Sequence, residues 1–224
     1  MMHFARTPFL IKKLYHSGAV WTMPCVDKKV YLTFDDGPVP EATPFVLETL
    51  AKFKAKATFF CVGENVSKHP ELYKEIIAQG HSVGNHTYNH LKGWKTSCDD
   101  YLENVARCRN AVTSDLFRPP YGRITKLQGR LLGKNFKLIF WTILSGDYDP
   151  DVSPEMCFNN VVNNLEPGAI IVFHDSIKAF GNMSACLPRV LSFCNEQGYE
   201  LASIPQSARC EVKNELNLKL VNEL

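Results

Sequence analysis

Val30-Tyr31-Leu32-Thr33-Phe34-Asp35-Asp36-Gly37-Pro38 decides the fold class. A β-branched and aromatic run reads as a strand, and it ends abruptly in two carboxylates followed by turn residues. Strand-like and helix-like segments alternate from there onward. Thr43 reads as an N-cap and Pro44 as the first helical residue, with Phe45, Val46, Leu47, Leu50 and Phe53 on one face. Ala57–Val62 is a second strand. A helix from His69-Pro70 stops at Gly80, and a strand at 81–85 leads to His86. Helices near 98–113, 125–134, 153–167 and 185–197 flank an extended segment at Leu116–Pro120 and the strands Lys137–Leu144, Ala169–Phe173 and Tyr199–Ile204. About seven β/α units without repeats or linkers mean a parallel sheet covered by helices.

Five of these strands end in residues able to do chemistry: Asp35-Asp36, His86, Arg118, Asp147 and His174. A site assembled from several strand ends belongs to a barrel, whose carboxyl-terminal rim carries it. An open sheet would concentrate such groups at one switch point. The expected architecture is a single-domain α/β barrel over residues 28–205, with an extension at 1–27 and a tail at 206–224. In the tail, Val212, Leu216, Leu220 and Leu224 recur every fourth residue, one stripe of a short amphipathic helix.

The chain has 224 residues, 45% hydrophobic and 21% charged, with a formal charge of +2. Residues 1–29 carry +4 of it, so the remainder is near neutral, unlike the concentrated basic face of a nucleic-acid binder. No apolar run approaches the ~18 residues of a membrane span. The eight cysteines include no C-x-x-C pair, and most fall inside strand or helix patterns, so they read as reduced, buried thiols. Phe9-Leu10-Ile11 is cut short by Lys12-Lys13, too brief for a secretory core. Together these favour the cytoplasm, with the chain a monomer or weak homo-oligomer.

Adjacent Asp35 and Asp36 point in different directions and so suit different tasks, although Asp-Gly-Pro is also ordinary turn chemistry. His86-x-x-x-His90 lets two imidazoles meet one ion if the segment makes a helical turn. Two histidines and one carboxylate form an open site, with positions left for water and substrate. With Asp36 as third ligand, Asp35 is free to act as a base, and Arg118 can hold it ionised through a bidentate pair. His174 ends an apolar strand, placed either as a core histidine or as a proton donor.

Four segments carry a resemblance: Thr33-Phe34-Asp35-Asp36-Gly37, His86-Thr87-Tyr88-Asn89-His90, Arg118-Pro119-Pro120-Tyr121 and Val172-Phe173-His174. In their order and spacing the sequence resembles the NodB-type polysaccharide deacetylase family, metal-dependent carbohydrate esterases on an irregular (β/α)7 barrel. The resemblance implies Asp35 as base, Asp36, His86 and His90 as metal ligands, Arg118 as the partner of the base, the Tyr121 N–H as an oxyanion donor and His174 as general acid. It implies one divalent ion, zinc by its imidazole ligands, with cobalt, nickel or manganese as alternatives. It also implies an N-acetylated glycan as substrate, which loses acetate. Pro119, Trp141, Tyr121 and Tyr148 are candidates to contact it, although core packing explains Trp141 as well.

A fifth segment departs from the family. The family's D-x-x-D-W aligns with Leu144-Ser145-Gly146-Asp147-Tyr148, which keeps only the second Asp. Asp147 can still orient His174 and raise its pKa, with Asp149 and Asp175 as alternatives. Two rival readings remain. A haloacid-dehalogenase-type phosphatase needs one residue between its carboxylates and leaves the three histidines without work. A non-catalytic carbohydrate-binding barrel would be expected to have lost Asp35 or a ligand.

Overall fold

The computed structural model describes residues 5–8, 18–24 and 27–207. The stripe of apolar residues after 211 lies outside them. In chain order the elements are β1 (Ala19–Val20), β2 (Lys29–Asp35), α1 (Thr43–Lys52), β3 (Thr58–Cys61), α2 (Gly63–Lys68), α3 (Pro70–Ala78), β4 (Ser82–Asn85) and α4 (Cys98–Ala111). They continue as β5 (Leu116–Phe117), α5 (Lys126–Leu132), β6 (Lys137–Ile139), β7 (Ile143–Leu144), α6 (Pro154–Val162), β8 (Ile170–His174), α7 (Phe180–Glu196) and β9 (Glu200–Ala202). Among the described residues nine strands form one curled sheet in the order β1-β6-β5-β4-β3-β2-β8-β7, with β9 added to β2, and all these pairings are parallel. This is the irregular (β/α)7 barrel.

Period-two alternation divides each strand between two layers. Val30, Leu32 and Phe34 of β2 join Phe59, Ile171 and Phe173 in the cluster beneath the helices. Tyr31, Phe60, Leu116, Ile139 and Ile170 pack together on the opposite side, inside the barrel. Gly84 faces inward, and a Cβ there would overlap the Phe60 ring. Close barrel packing thus requires glycine at that position.

Three local expectations are corrected. Lys137–Leu144 is two strands. Phe140 sends its N–H to Val20 while Thr142 sends its own to Ile170, so the chain changes neighbours at that point. Thr43 is the first helical residue of α1, and its hydroxyl bonds elsewhere. Helix α7 begins at Phe180, five residues earlier than the pattern suggested, and tolerates Pro188 inside it.

Residues ahead of 28 join the barrel. Ala19 and Val20 pair with Leu138 and Ile139, and Thr7 N–H donates to Thr142 O at 2.9 Å. Met23 N–H donates to Gly168 O at 2.9 Å, and Gly168 N–H donates to Lys29 O at 2.7 Å. Gly168 has φ +81°, and a Cβ on it would overlap the Met23 carbonyl oxygen. Left-handed strain in a non-glycine residue costs about 1–3 kcal/mol, and for a chain of this size each kcal/mol lowers Tm by about 2–4 °C. Gly168→Ala is therefore expected to lower Tm by about 4 °C or more in a thermal melt. An unchanged Tm would show that this clamp contributes nothing.

Candidate active site

The alternation of β2 separates the two adjacent carboxylates. Thr33 and Asp35 face the barrel interior, where Arg118 is 0% exposed. Its Nη1 donates to Asp35 Oδ1 at 2.7 Å and to Thr33 Oγ1 at 2.7 Å. The Nε and Nη2 groups donate to the carbonyls of Ile139 (3.3 Å) and Phe140 (3.1 Å). The guanidinium lies 4.1 Å from the Phe60 ring centroid. The ion pair therefore runs through one guanidinium nitrogen, Nη1, where the sequence suggested a bidentate fork. The other donors are taken up by carbonyls of the β6 strand end.

Asp36 lies one residue beyond, at the rim, with φ +84°. Its main-chain carbonyl accepts from Asn65 Nδ2 at 2.7 Å. Its Oδ1 stands 3.1 Å from His90 Nε2 and 3.7 Å from His86 Nε2. Burial pushes this carboxyl up, but the His90 contact and the nearby His174 and His86 charges outweigh it. The group ends well below the usual carboxylate range.

The His86–His90 segment is no helical turn. Thr87 (φ +63°) and His90 (φ +55°) are left-handed, and this bend brings both rings to Asp36. Asn85 Oδ1 accepts from Thr87 N–H, and Asn104 Oδ1 accepts from the N–H groups of Tyr88 and Asn89. Such strain persists only where the surroundings over-determine it. His86 is buried, which lowers its pKa to about 4 even though the Asp35 and Asp36 charges oppose the shift.

The ligand atoms of Asp36, His86 and His90 all lie within 4.8 Å of one another. Two imidazoles and one carboxylate suit a divalent transition ion with open positions. His86 Nδ1–H donates to Arg118 O at 2.8 Å, so the lone pair on Nε2 faces the cluster. A backbone carbonyl orienting a ligand histidine in this way is typical of metal sites.

At the end of β8, in register with Asp35, His174 is held twice by Asp147. Oδ1 accepts from the ring Nδ1–H at 2.8 Å, and Oδ2 accepts from the backbone N–H at 2.7 Å. Burial opposes charge on the ring, but the charge and hydrogen bond of Asp147, with Asp36 and Asp35 behind, raise the pKa to about 9. Tyr148 sets its ring edge-on to that imidazole, with centroids 4.9 Å apart. Tyr121, at φ +59°, places its ring 4.7 Å from His90. Pro119 is buried before it, and Trp141 packs beneath the turn, where a Cβ on Gly122 would come within 2.6 Å of the indole.

Several supporting residues were not singled out in the sequence. Ser145 Oγ donates to Asp147 Oδ1 at 3.0 Å. Asn182 Nδ2 donates to the carbonyls of Asp147, Asp149 and Val152, fixing the loop that carries Asp147 and Tyr148. Neither alternative to Asp147 is the partner of His174. Asp175 turns away, accepting from Gly37 N–H (3.1 Å) and Thr43 Oγ1 (2.7 Å). Burial raises its pKa to about 8. Isolated Asn and Ser residues carry no pattern, so their partners emerge only when the loops are folded.

Residues 24–135 match the sequence profile described as Polysaccharide deacetylase. The chain belongs to the polysaccharide deacetylase family. As a member it is a hydrolase of the deacetylase class. It is 34% identical over 212 residues to a peptidoglycan-N-acetylglucosamine deacetylase of Bacillus cereus, covering 89% of this chain and 98% of that one. It is 32% identical to the deacetylase PgdA of Listeria monocytogenes over 80% of its own length but only 39% of that protein's. Its fold matches the crystal structure of the Bc1960 peptidoglycan N-acetylglucosamine deacetylase in complex with 4-naphthalen-1-yl-N-oxidanyl-benzamide. The TM-score is 0.81 at 31% identity, covering 89% of this chain and 95% of that one.

The His174 contact has a measurable consequence. A pKa raised from 6.5 to about 9 adds stability that is complete below about 6.5 and fades as pH rises through about 9. Asp147→Asn is therefore expected to destabilise the protein more at pH 6 than at pH 10 in urea unfolding. In NMR titration its His174 ring should lose its proton at lower pH than in wild type. An equal loss of stability at both pH values would refute the coupling.

Proposed function

We propose that this deacetylase removes the N-acetyl group from amino sugars of a glycan, with N-acetylglucosamine of a peptidoglycan-type polymer as the substrate class and zinc as the ion. The observation that carries the reading is that His174, held by Asp147 and in register with Asp35 on the neighbouring strand, shares one barrel rim with the Asp36, His86 and His90 cluster. The similarity to peptidoglycan-N-acetylglucosamine deacetylases supports the sugar. Two imidazole ligands support zinc over magnesium. Six described cysteines are free and five of them buried, which suits a reducing compartment. Among the described residues no helix is long and apolar enough to cross a membrane.

Asp36, His86 and His90 would hold the ion. When bound, it supplies Lewis-acid chemistry at the rim. The remaining work falls to the protein. Asp35, oriented through Oδ1 by Arg118, takes a proton from water on its other oxygen as that water attacks the acetyl carbon. The Tyr121 N–H donates to the acetyl oxygen as negative charge develops there. His174 passes its Nε2 proton to the sugar nitrogen as the C–N bond breaks. A free amino sugar and acetate leave. The left-handed turn at Tyr121 and the fixed Nδ1 of His174 hold both donors in place beforehand, so little reorganisation remains for the reaction itself.

This assignment predicts about one zinc per chain by elemental analysis, removed by His86→Ala or His90→Ala. Full occupancy in the double variant would sink it. Asp35→Asn is expected to retain the ion but lower kcat by about 10²–10⁴ in an acetate-release assay, the range for a lost general base. Wild-type turnover in that variant would mean that Asp35 and Asp36 have exchanged roles. Because His174 acts as its cation, Asp147→Asn should move the alkaline limb of the pH–rate profile to lower pH without changing metal content.

A further inference from the structure

Two loops leaving the site are locked into one ridge. Gly93 N–H donates to Arg123 O at 3.1 Å, and Trp94 Nε1–H donates to Ile124 O at 3.0 Å. The Gln128 amide donates to Gly93 O (3.1 Å) and Thr96 O (3.3 Å). A Cβ on Gly93 would lie 2.6 Å from Arg123 O, so glycine permits the contact. The ridge carries two exposed aromatic rings, Tyr121 at 52% and Trp94 at 58%. Each has a cation beside it: Lys92 Nζ is 4.5 Å from the Tyr121 centroid, and the Arg123 guanidinium is 5.4 Å from that of Trp94. Tyr121 touches the ligand His90 at one end, and Trp94 stands at the other.

An indole whose N–H is already bonded to the backbone and whose loop is fixed exposes mainly its apolar face. That face is costly to leave in water but suits a ring with both C–H and polar surfaces. The neighbouring cations offer donors to oxygen-rich groups at the rim of such a ring.

We infer that Trp94 and Arg123, continuous with Tyr121 and Lys92, form a distal subsite for a sugar unit of the same glycan chain that lies beyond the reach of a disaccharide. The inference rests on the glycan deacetylase reading, and it makes the enzyme a reader of chain length. Trp94 binds and does not enter the chemistry, so its loss should be felt only by substrates long enough to reach it.

The test compares Trp94→Ala with wild type on N-acetylglucosamine dimer and pentamer. Acetate release from the pentamer should lose about tenfold in kcat/KM, mostly through KM. The loss on the dimer should be under twofold, and Trp94→Phe should restore most of the pentamer activity. Equal losses on both substrates, or none on the pentamer, overturn the subsite. So does sedimentation showing that Trp94→Ala dissociates a dimer, which would give the face to a second copy of the chain. Calorimetry of the pentamer on Asp35→Asn protein, with and without Trp94→Ala, separates the two readings. A Kd weakened about tenfold by Trp94→Ala supports the subsite even if no substrate releases acetate, whereas an unchanged Kd overturns it.

Discussion

A guanidinium sealed inside the barrel organises this protein. Burying a charge is expensive unless every donor finds an acceptor, and removing one partner of such a pair typically costs about 3–5 kcal/mol. Arg118 meets most of that demand by drawing on three strands. Its side chain reaches Thr33 and Asp35 of β2 and the carbonyls of Ile139 and Phe140 at the end of β6. Its backbone N–H donates to Asn85 of β4, and its carbonyl accepts from His86. One residue therefore fixes the orientation of a carboxylate and the tautomer of a histidine. Around it the rim can be irregular, because the pieces that carry chemistry share a common anchor.

Conformational strain gathers where that anchor ends. Of the described non-glycine residues with positive φ, Asp36, Thr87, His90 and Tyr121 all belong to the site, and Lys54 alone lies elsewhere. Each is held by neighbours: Asp36 by Asn65, the 87–91 bend by Asn85 and Asn104, and the Tyr121 turn by the indole beneath it. The polar support is neutral, mostly amide side chains, so it orients the charged groups without altering their balance. The replacement of the family's first Asp by Leu144 fits this economy. Asp147 is the carboxylate bonded to His174, with the charges of Asp36 and Asp35 behind it, and Ser145 and Asn182 steady it.

Much of this was legible in the residues. Hydrophobic alternation and turn chemistry located the strands, and polar residues at five strand ends pointed to a barrel rim. The motif residues then converged as the resemblance implied: Asp35 on Arg118, Asp36 between two histidines, Asp147 on His174. What stayed hidden depends on tertiary partners. Gly63–Lys68 is a helix of six residues with too little periodicity to register. The break inside Lys137–Leu144 reflects a change of neighbouring strand, to which local propensity is blind. The path of His86–His90 is set by the side chains of the adjacent Asn85 and of Asn104 on the next helix, so spacing alone suggested a helical turn where the chain makes a left-handed bend.

Strand β1 has a bearing on assembly in time. Ala19 and Val20 pair with Leu138 and Ile139, while Thr7 and Thr22 reach Thr142. These contacts close a loop of more than a hundred residues, and they can form only after the sixth strand has been made. During synthesis β1 must wait while β2 to β5 are laid down, because its partner emerges from the ribosome far later. Contacts of such long sequence separation slow folding, since the loop entropy is lost before the pairing compensates it. Until then the flank of β6 is an open strand edge. Closing it is a late event in building the barrel, carried out by a segment synthesised well before its partner.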